Sequence, residues 1–254
     1  MSARPRSRAP LRAVSSTSTV RSLAVLTGNR LLDALPKADR VNLGRDLKMV
    51  ELTAHQFTQS VGSAMQHVDF PIDAVLSVVA TLKNGDSVEV GTVGSEGFVE
   101  TDAALSSSLS RRTAFCQVRG RVLRMSIERF DHRMSTSLSF ARLMRRNVQA
   151  SLFTAQQFAA CNTKHSLLQR CARWLSMTED RVGSPEFTLT HEFLSIMLGV
   201  RRAGVSEAAD ALQKTGAITY SRGRVTVLDT NLLNATACEC YDACKLAFEV
   251  SLRR

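Results

Sequence analysis

The sequence predicts an α+β chain: a β-rich N-terminal domain, one long helix, and a smaller, mainly helical C-terminal domain. Three observations predict it. Six short strand-like runs crowd residues 48 to 126. After Arg129 the apolar spacing lengthens to three and four residues. Beyond Leu189, two short helical stretches are followed by an alternating hairpin pattern.

The strand-like runs are KMVEL, AMQHVDF, AVLSVVATL, SVEVGTV, RTAFCQV and RVLRMSI, punctuated by Gly, Asn, Asp and Ser. Between AVLSVVATL and SVEVGTV, Asn84-Gly85 is expected to supply the positive backbone angles of a tight hairpin turn. In the long helix, Met134, Leu138, Ala141, Val148, Leu152 and Ala155 form an apolar stripe interrupted by Arg145 alone. A stripe of this kind suits a seam with a second copy of the chain, or packing against the chain's own β domain. A further helix is expected from about Lys164 to Asp180, with Leu167, Leu168, Cys171, Trp174 and Leu175 on its apolar face. It ends before Gly183-Ser184-Pro185.

Charge divides unevenly along the chain. Residues 1–25 carry five Arg and no acid, residues 26–135 carry 13 bases and 13 acids, and residues 136–254 carry 15 bases and 10 acids. A neutral middle beside a basic C-terminal third suits one domain that senses and another that approaches a polyanion. No run of about 18 uncharged apolar residues occurs, so no membrane partner is expected and the chain reads as soluble. Six cysteines and no secretory signal predict reduced thiols in a cytoplasmic protein. The Arg- and Ser-rich opening segment fits a disordered basic tail or an over-extended start, and its composition overlaps with that of organellar transit peptides.

Residues 189 to 216 carry the chemistry. Thr190 is a good N-cap for a short helix whose Phe193, Leu194, Met197 and Leu198 form one stripe, and Gly199 can end that helix in the left-handed conformation. A turn at Gly199 and Val200 leads into a second helix, from about Arg201 to Lys214, with Val205, Ala208, Ala209 and Leu212 buried. Such a pair is a helix-turn-helix, whose second member enters a major groove N-terminus first. Arg201 and Arg202 stand at that end, and Arg202 is the residue expected to read a base edge. Around Ser221-Arg222-Gly223-Arg224 the alternation predicts a basic-tipped wing, with Arg222 and Arg224 on phosphates.

The string LGVRRAGVSEAADALQKTGAITYSRGRVTVLD resembles the DNA-binding signature of the Crp/Fnr family (cyclic-AMP receptor protein and fumarate-nitrate regulator). The order of elements from about Leu32 to Asp229 is similar throughout. The resemblance implies a β-roll sensor of the cyclic-nucleotide-binding jelly-roll type over residues 26–132, a dimerisation helix over 133–162 and a winged helix-turn-helix over 163–254, preceded by the tail, 1–25. It implies a homodimer on double-stranded DNA, an effector in the β-roll and RNA polymerase as a further partner. The DNA-facing set it implies comprises Thr190, His191, Arg201, Arg202, Ala203, Ser206, Glu207, Arg222 and Arg224. The family's reading helix presents Arg, Glu and a later Arg; Arg202 matches the first, while Ala203 and Glu207 stand at the other two, so the half-site does not transfer.

The family's nucleotide pocket joins a Gly-Glu step to an Arg about ten residues later. Here Gly94, Glu96 and Gly97 surround an inserted Ser95, and Arg111, Arg112 and Thr113 follow, with Arg112 16 residues beyond Glu96. That shift argues against cyclic-nucleotide binding, and no cofactor is expected. The first cysteine, Cys116, lies inside the β domain, which argues against the family's N-terminal iron–sulfur cluster. Cys238, Cys240 and Cys244 fall in an expected C-terminal helix. Without a second pair nearby they read as buried, inert thiols, and no metal is expected. His191-Glu192 lacks the second histidine of a zinc-protease motif, since Ser195 stands there. No nucleophile elbow, Walker loop or dinucleotide fingerprint occurs, so an enzyme is not expected. Two other readings stay open: a ligand-controlled subunit whose C-terminal domain binds protein, and a constitutive DNA binder with a degenerate sensor.

Overall fold

The computed structural model describes residues 27–253, and the expected tail, residues 1–25, lies outside them. Two short helices, α1 (Arg30–Asp33) and α2 (Lys37–Leu43), precede seven strands: β1 (Leu47–Leu52), β2 (Phe57–Gln59), β3 (His67–Pro71), β4 (Val75–Thr81), β5 (Ser87–Val93), β6 (Thr113–Val118) and β7 (Gly120–Ser126). They form two antiparallel sheets, in the orders β1-β7-β3 and β2-β6-β4-β5. Leu52, Val122, Leu76, Ala114 and Cys116 are buried together where the two sheets face each other. Outward positions alternate with these, as a half-buried strand requires.

Five of the six expected strands pair within a residue or so of their expected bounds, while β3 begins only at His67; three-residue β2 carries too little pattern to be seen. The hairpin between β4 and β5 corrects the expected turn. Its loop spans Leu82 to Asp86, closed by Leu82 N–H to Asp86 O at 2.8 Å, and only Gly85 takes a positive φ, of 90°. Asn84 instead holds the loop with its side chain, accepting from Asp86 N–H at 3.1 Å.

The expected long helix is two helices. Helix α3 (Ile127–Thr136) stops where Ser137 goes extended, at φ −118° and ψ 105°; the Ser137 hydroxyl then accepts from Phe140 N–H and starts α4 (Leu138–Lys164). Met134 therefore belongs to α3, half-buried on the β-domain core. An aromatic chain ties these helices to the sheet. Ring centroids of Phe70 and Phe98 lie 5.7 Å apart, those of Phe98 and Phe130 5.8 Å, and those of Phe130 and Phe140 5.5 Å. Burying each ring contributes roughly 1.5–3 kcal/mol.

The C-terminal domain follows as α5 (Leu167–Val182), β8 (Glu186–Thr188), α6 (His191–Leu198), α7 (Arg202–Lys214), β9 (Ile218–Ser221), β10 (Arg224–Val227), α8 (Thr230–Thr236) and α9 (Cys240–Leu252). Its sheet runs β8-β10-β9, so the wing has a third strand that the sequence did not suggest. Cys171, Trp174 and Leu175 of α5 are buried against Leu194, Val205 and Leu212 of α6 and α7, in a core that also takes in Val79 of β4. The two domains thus share packing. Helix α9 lies along α4, with Phe158, Met177, Tyr241 and Cys244 clustered between them.

The α4 stripe divides between two faces. Ala141 is buried and Val148 packs on the β-domain core, whereas Leu138 and Leu152 are 63% and 59% exposed. Arg145 is exposed with them, and Ala155 is half-buried. Part of the expected seam is therefore the chain's own interior, and Leu138, Arg145 and Leu152, seven residues apart, form the face left open.

Candidate nucleic-acid interface

Helix α6 begins at Thr190, whose hydroxyl accepts from Phe193 N–H at 3.1 Å, and ends at Gly199 with φ 64°. Gly199 N–H reaches Ile196 O, and Val200 N–H reaches Ser195 O at 2.9 Å, which satisfies carbonyls the helix end would otherwise leave unpaired. A Cβ on Gly199 would also stand 3.2 Å from Val88 of β5. Arg201 is the extended N-cap of α7 (φ −71°, ψ 142°), and Arg202 is its first helical residue. Arg201, Arg202, Ala203 and Glu207 are all exposed. They lie along the N-terminal half of α7, whose opposite face, Val205, Ala208, Ala209 and Leu212, is buried.

His191 and Ser206 play a different part. The ring Nδ1 lies 2.9 Å from the Ser206 hydroxyl, and the ring stacks on Tyr220 at 4.2 Å. Tyr220 in turn donates to Leu189 O at 2.9 Å. Burial, and then the nearby Arg202 guanidinium, hold the His191 imidazole below its usual range, so it braces α6 on α7 as a neutral ring. At the wing tip Arg222 (φ 50°) and Gly223 (φ 76°) both take positive φ, as a two-residue hairpin turn requires. Arg222 is exposed, and no ion pair engages it among the described residues. Arg224 is ion-paired with Glu186 of β8, both side chains largely exposed.

Residues 169–236 match the family model of the Crp-like helix-turn-helix domain. This segment is a Crp-like helix-turn-helix domain. Around it the chain has the fold of the Crp/Fnr regulators. A CRP-family transcriptional regulator from Thermus thermophilus is 20% identical over 75% of this chain and 99% of its own, with a TM-score of 0.62. FixK2 from Bradyrhizobium japonicum is 13% identical over 76% and 98%, at 0.63. The c-di-GMP-responsive global regulator CLP from Xanthomonas campestris is 15% identical over 72% and 94%, at 0.58. No curated protein matches the chain. Among the described residues no helix is long and apolar enough to cross a membrane.

Ahead of the Crp-like domain, the residues expected around an effector scatter. A cavity of about 300 Å³ lies between the β4/β5 sheet and α4, and Arg112 lines it with Glu100, Thr101 and Asp102. Gly94, Glu96, Gly97, Arg111 and Thr113 do not line it. Arg112 is also engaged: its Nη2 lies 2.7 Å from Asp102 Oδ1 and 3.3 Å from Thr101 Oγ1. Thr113 accepts from Val61 N–H at 3.3 Å. A guanidinium already neutralised by a carboxylate, beside a second carboxyl, is a poor phosphate trap.

Glu96 faces the Crp-like domain instead. Its Oε1 accepts from Arg181 Nε at 2.7 Å and from Gly94 N–H at 3.2 Å, with the Glu96 and Arg181 side chains 9% and 6% exposed. Nearby, Trp174 Nε1 donates to Glu89 at 2.9 Å, while the Ser77 hydroxyl lies 2.8 Å from the same carboxyl. Burial pushes the Glu89 carboxyl above its ordinary range. Both contacts run from α5 to the β domain. Sequence reading placed Trp174 in a core and Glu96 in a pocket; partners 85 residues apart leave no local signal.

Burial also pushes the Glu100 carboxyl up, from 4.5 to about 7, with Asp102 adding to the rise. The folded state therefore prefers the protonated acid. The stability this gives is complete below pH 4.5 and is lost as pH climbs through about 7. The Glu100→Gln variant is expected to melt like the parent chain at acidic pH and above it at pH 8. Parallel melting curves across that range would show a constant offset if the carboxyl were ordinary.

Proposed function

We propose that the chain is a cytoplasmic, sequence-specific DNA-binding transcriptional regulator that works as a homodimer on an inverted repeat. The presentation of Arg202 carries this reading: an exposed guanidinium on the first residue of α7, braced from behind by the His191–Ser206–Tyr220 contacts. Arginine there reaches guanine O6 and N7 together, and Arg222 on the wing meets a phosphate. Leu138 and Arg145, exposed on α4, support pairing with a second copy along that helix, with Leu152 at the rim of the cavity and Phe153 (40% exposed) alongside.

Arg112 being held by Asp102 favours a small, mostly apolar effector over a cyclic nucleotide, because the cavity's one guanidinium is already neutralised and the rest of its lining is largely apolar. For such an effector to matter it must bind the two states of the dimer unequally. Selection from a random double-stranded pool at low salt is expected to enrich an inverted repeat, with half-sites about 10 base pairs apart. Leu152→Asp should sediment as a folded monomer and lose the repeat. Enrichment of no sequence, or of a lone half-site with the dimer intact, would remove the reading.

A further inference from the structure

We infer that Cys161, His165, Cys238 and Cys240 form a closed tetrahedral zinc site that clasps the end of the long helix α4 to the start of α9. Their four ligand atoms all lie within 4.8 Å of one another. Cys161 Sγ is 3.5 Å from Cys238 Sγ, and Cys240 Sγ is 3.6 Å from His165 Nδ1. A tetrahedral centre with Zn–S bonds of about 2.3 Å and Zn–N bonds of about 2.0 Å sets its ligand atoms roughly 3.5 to 3.8 Å apart. Two of the separations are thus already those of a single ion, and none exceeds 4.8 Å, too tight for a cubane cluster.

The sequence supplies this geometry in two halves. Cys161 and His165, four residues apart, share a face of the last turn of α4, where His165 is the C-cap. Cys238 and Cys240 flank Glu239 where the link from α8 enters α9, with Cys240 the first residue of that 13-residue helix.

The surroundings fit a bound ion. His165 turns its other nitrogen, Nε2, to Glu239 Oε1 at 3.2 Å, the carboxylate–imidazole–metal relay that fixes a ligand's tautomer. Gln157 Nε2 donates to Cys240 Sγ at 3.2 Å. Cys161 and Cys240 are fully buried, while the His165 side chain is 17% exposed, so the ion can enter from the histidine side.

Charge points the same way. Arg173 is 2% exposed, lies within electrostatic reach of Cys161, and has no carboxylate partner among the described residues. Its Nη1 meets only Met177 Sδ, its plane lies over Phe158, and its Nε has no acceptor. A buried cation without a counter-charge is costly. Zinc binding displaces three thiol protons to solvent and leaves a centre of net charge minus one beside that guanidinium. No redox change is involved. Four protein ligands leave no open position, so the ion is structural, and it lies beside Ser166, the N-cap from which α5 departs.

The test is metal content and Co²⁺ spectroscopy on the full chain, purified without metal-binding tags. One zinc per chain is expected, and replacement by Co²⁺ should give the intense visible bands of a tetrahedral thiolate site, saturating at one equivalent. Cys240→Ser and His165→Ala should lose the retained zinc, whereas Cys116→Ser, a buried thiol in the β domain, should keep it. Glu239→Gln, which spares all four ligands, should weaken zinc affinity roughly 10-fold to 100-fold. A folded parent chain that holds no zinc and gives no such Co²⁺ spectrum overturns the site, as does iron with acid-labile sulfide in its place. None of these readouts involves DNA, so they fail or hold independently of the proposed regulatory function.

Discussion

Glu96→Ala is expected to lower the unfolding free energy by about 3–5 kcal/mol, the usual cost of stripping one partner from a buried ion pair. The size follows from what stays behind. Arg181 keeps the Met177 carbonyl, at 3.1 Å from Nη1, and a longer-range attraction to Glu89, while its Nε loses an acceptor 2.7 Å away inside packed structure. Gly94 N–H loses its acceptor as well. Urea titration of the parent, Glu96→Ala, Arg181→Met and the double variant gives the coupling. The double variant should be more stable than Glu96→Ala alone, because removing both charges leaves none stranded. Additive losses would show that the two groups do not depend on each other. Since Arg181 sits on α5 and Glu96 in the β domain, the same cycle measures how tightly the Crp-like domain is latched to the β domain.

Arg202→Ala and Arg222→Ala should weaken DNA binding in different ways. Removing a two-point contact to a guanine costs about 1–3 kcal/mol on the cognate site and little on random duplex, so the ratio of the two affinities collapses. Removing a phosphate contact lowers both alike and reduces the logarithmic salt slope by about one. The placements match these roles: Arg202 leads α7, whereas Arg222 tips a turn whose neighbour, Arg224, is already held by Glu186. Titrations of labelled operator and scrambled duplex at several salt concentrations read both effects. Equal losses on both duplexes for Arg202→Ala would place that side chain on the backbone.

What the sequence made legible was local. Strand β5 was legible to its exact ends because alternation and a glycine-bearing turn bound it on one side, and Gly199 announced its turn because only a left-handed residue can close α6 there. Strand β8 escaped because three residues carry no period, and the break at Ser137 because a lone serine cap within an apolar stripe leaves the stripe intact. The α4 stripe divides between the two packings the sequence left open, because a 27-residue helix packed on two sides carries apolar residues on more than one face. The thiol–imidazole quartet was invisible for another reason. Cys238 and Cys240 were noted, but the pair that completes them lies 77 and 75 residues upstream, at distances only the packing of α9 on α4 can close. The Glu96–Arg181 latch was hidden in the same way.

Val88, whose side chain limits the space at Gly199, stands on the strand that supplies Val90, Gly91, Thr92 and Val93 to the cavity wall. A single extended backbone thus runs from the chamber wall to the elbow between α6 and α7, so the two are joined by one strand with no relay of intervening elements.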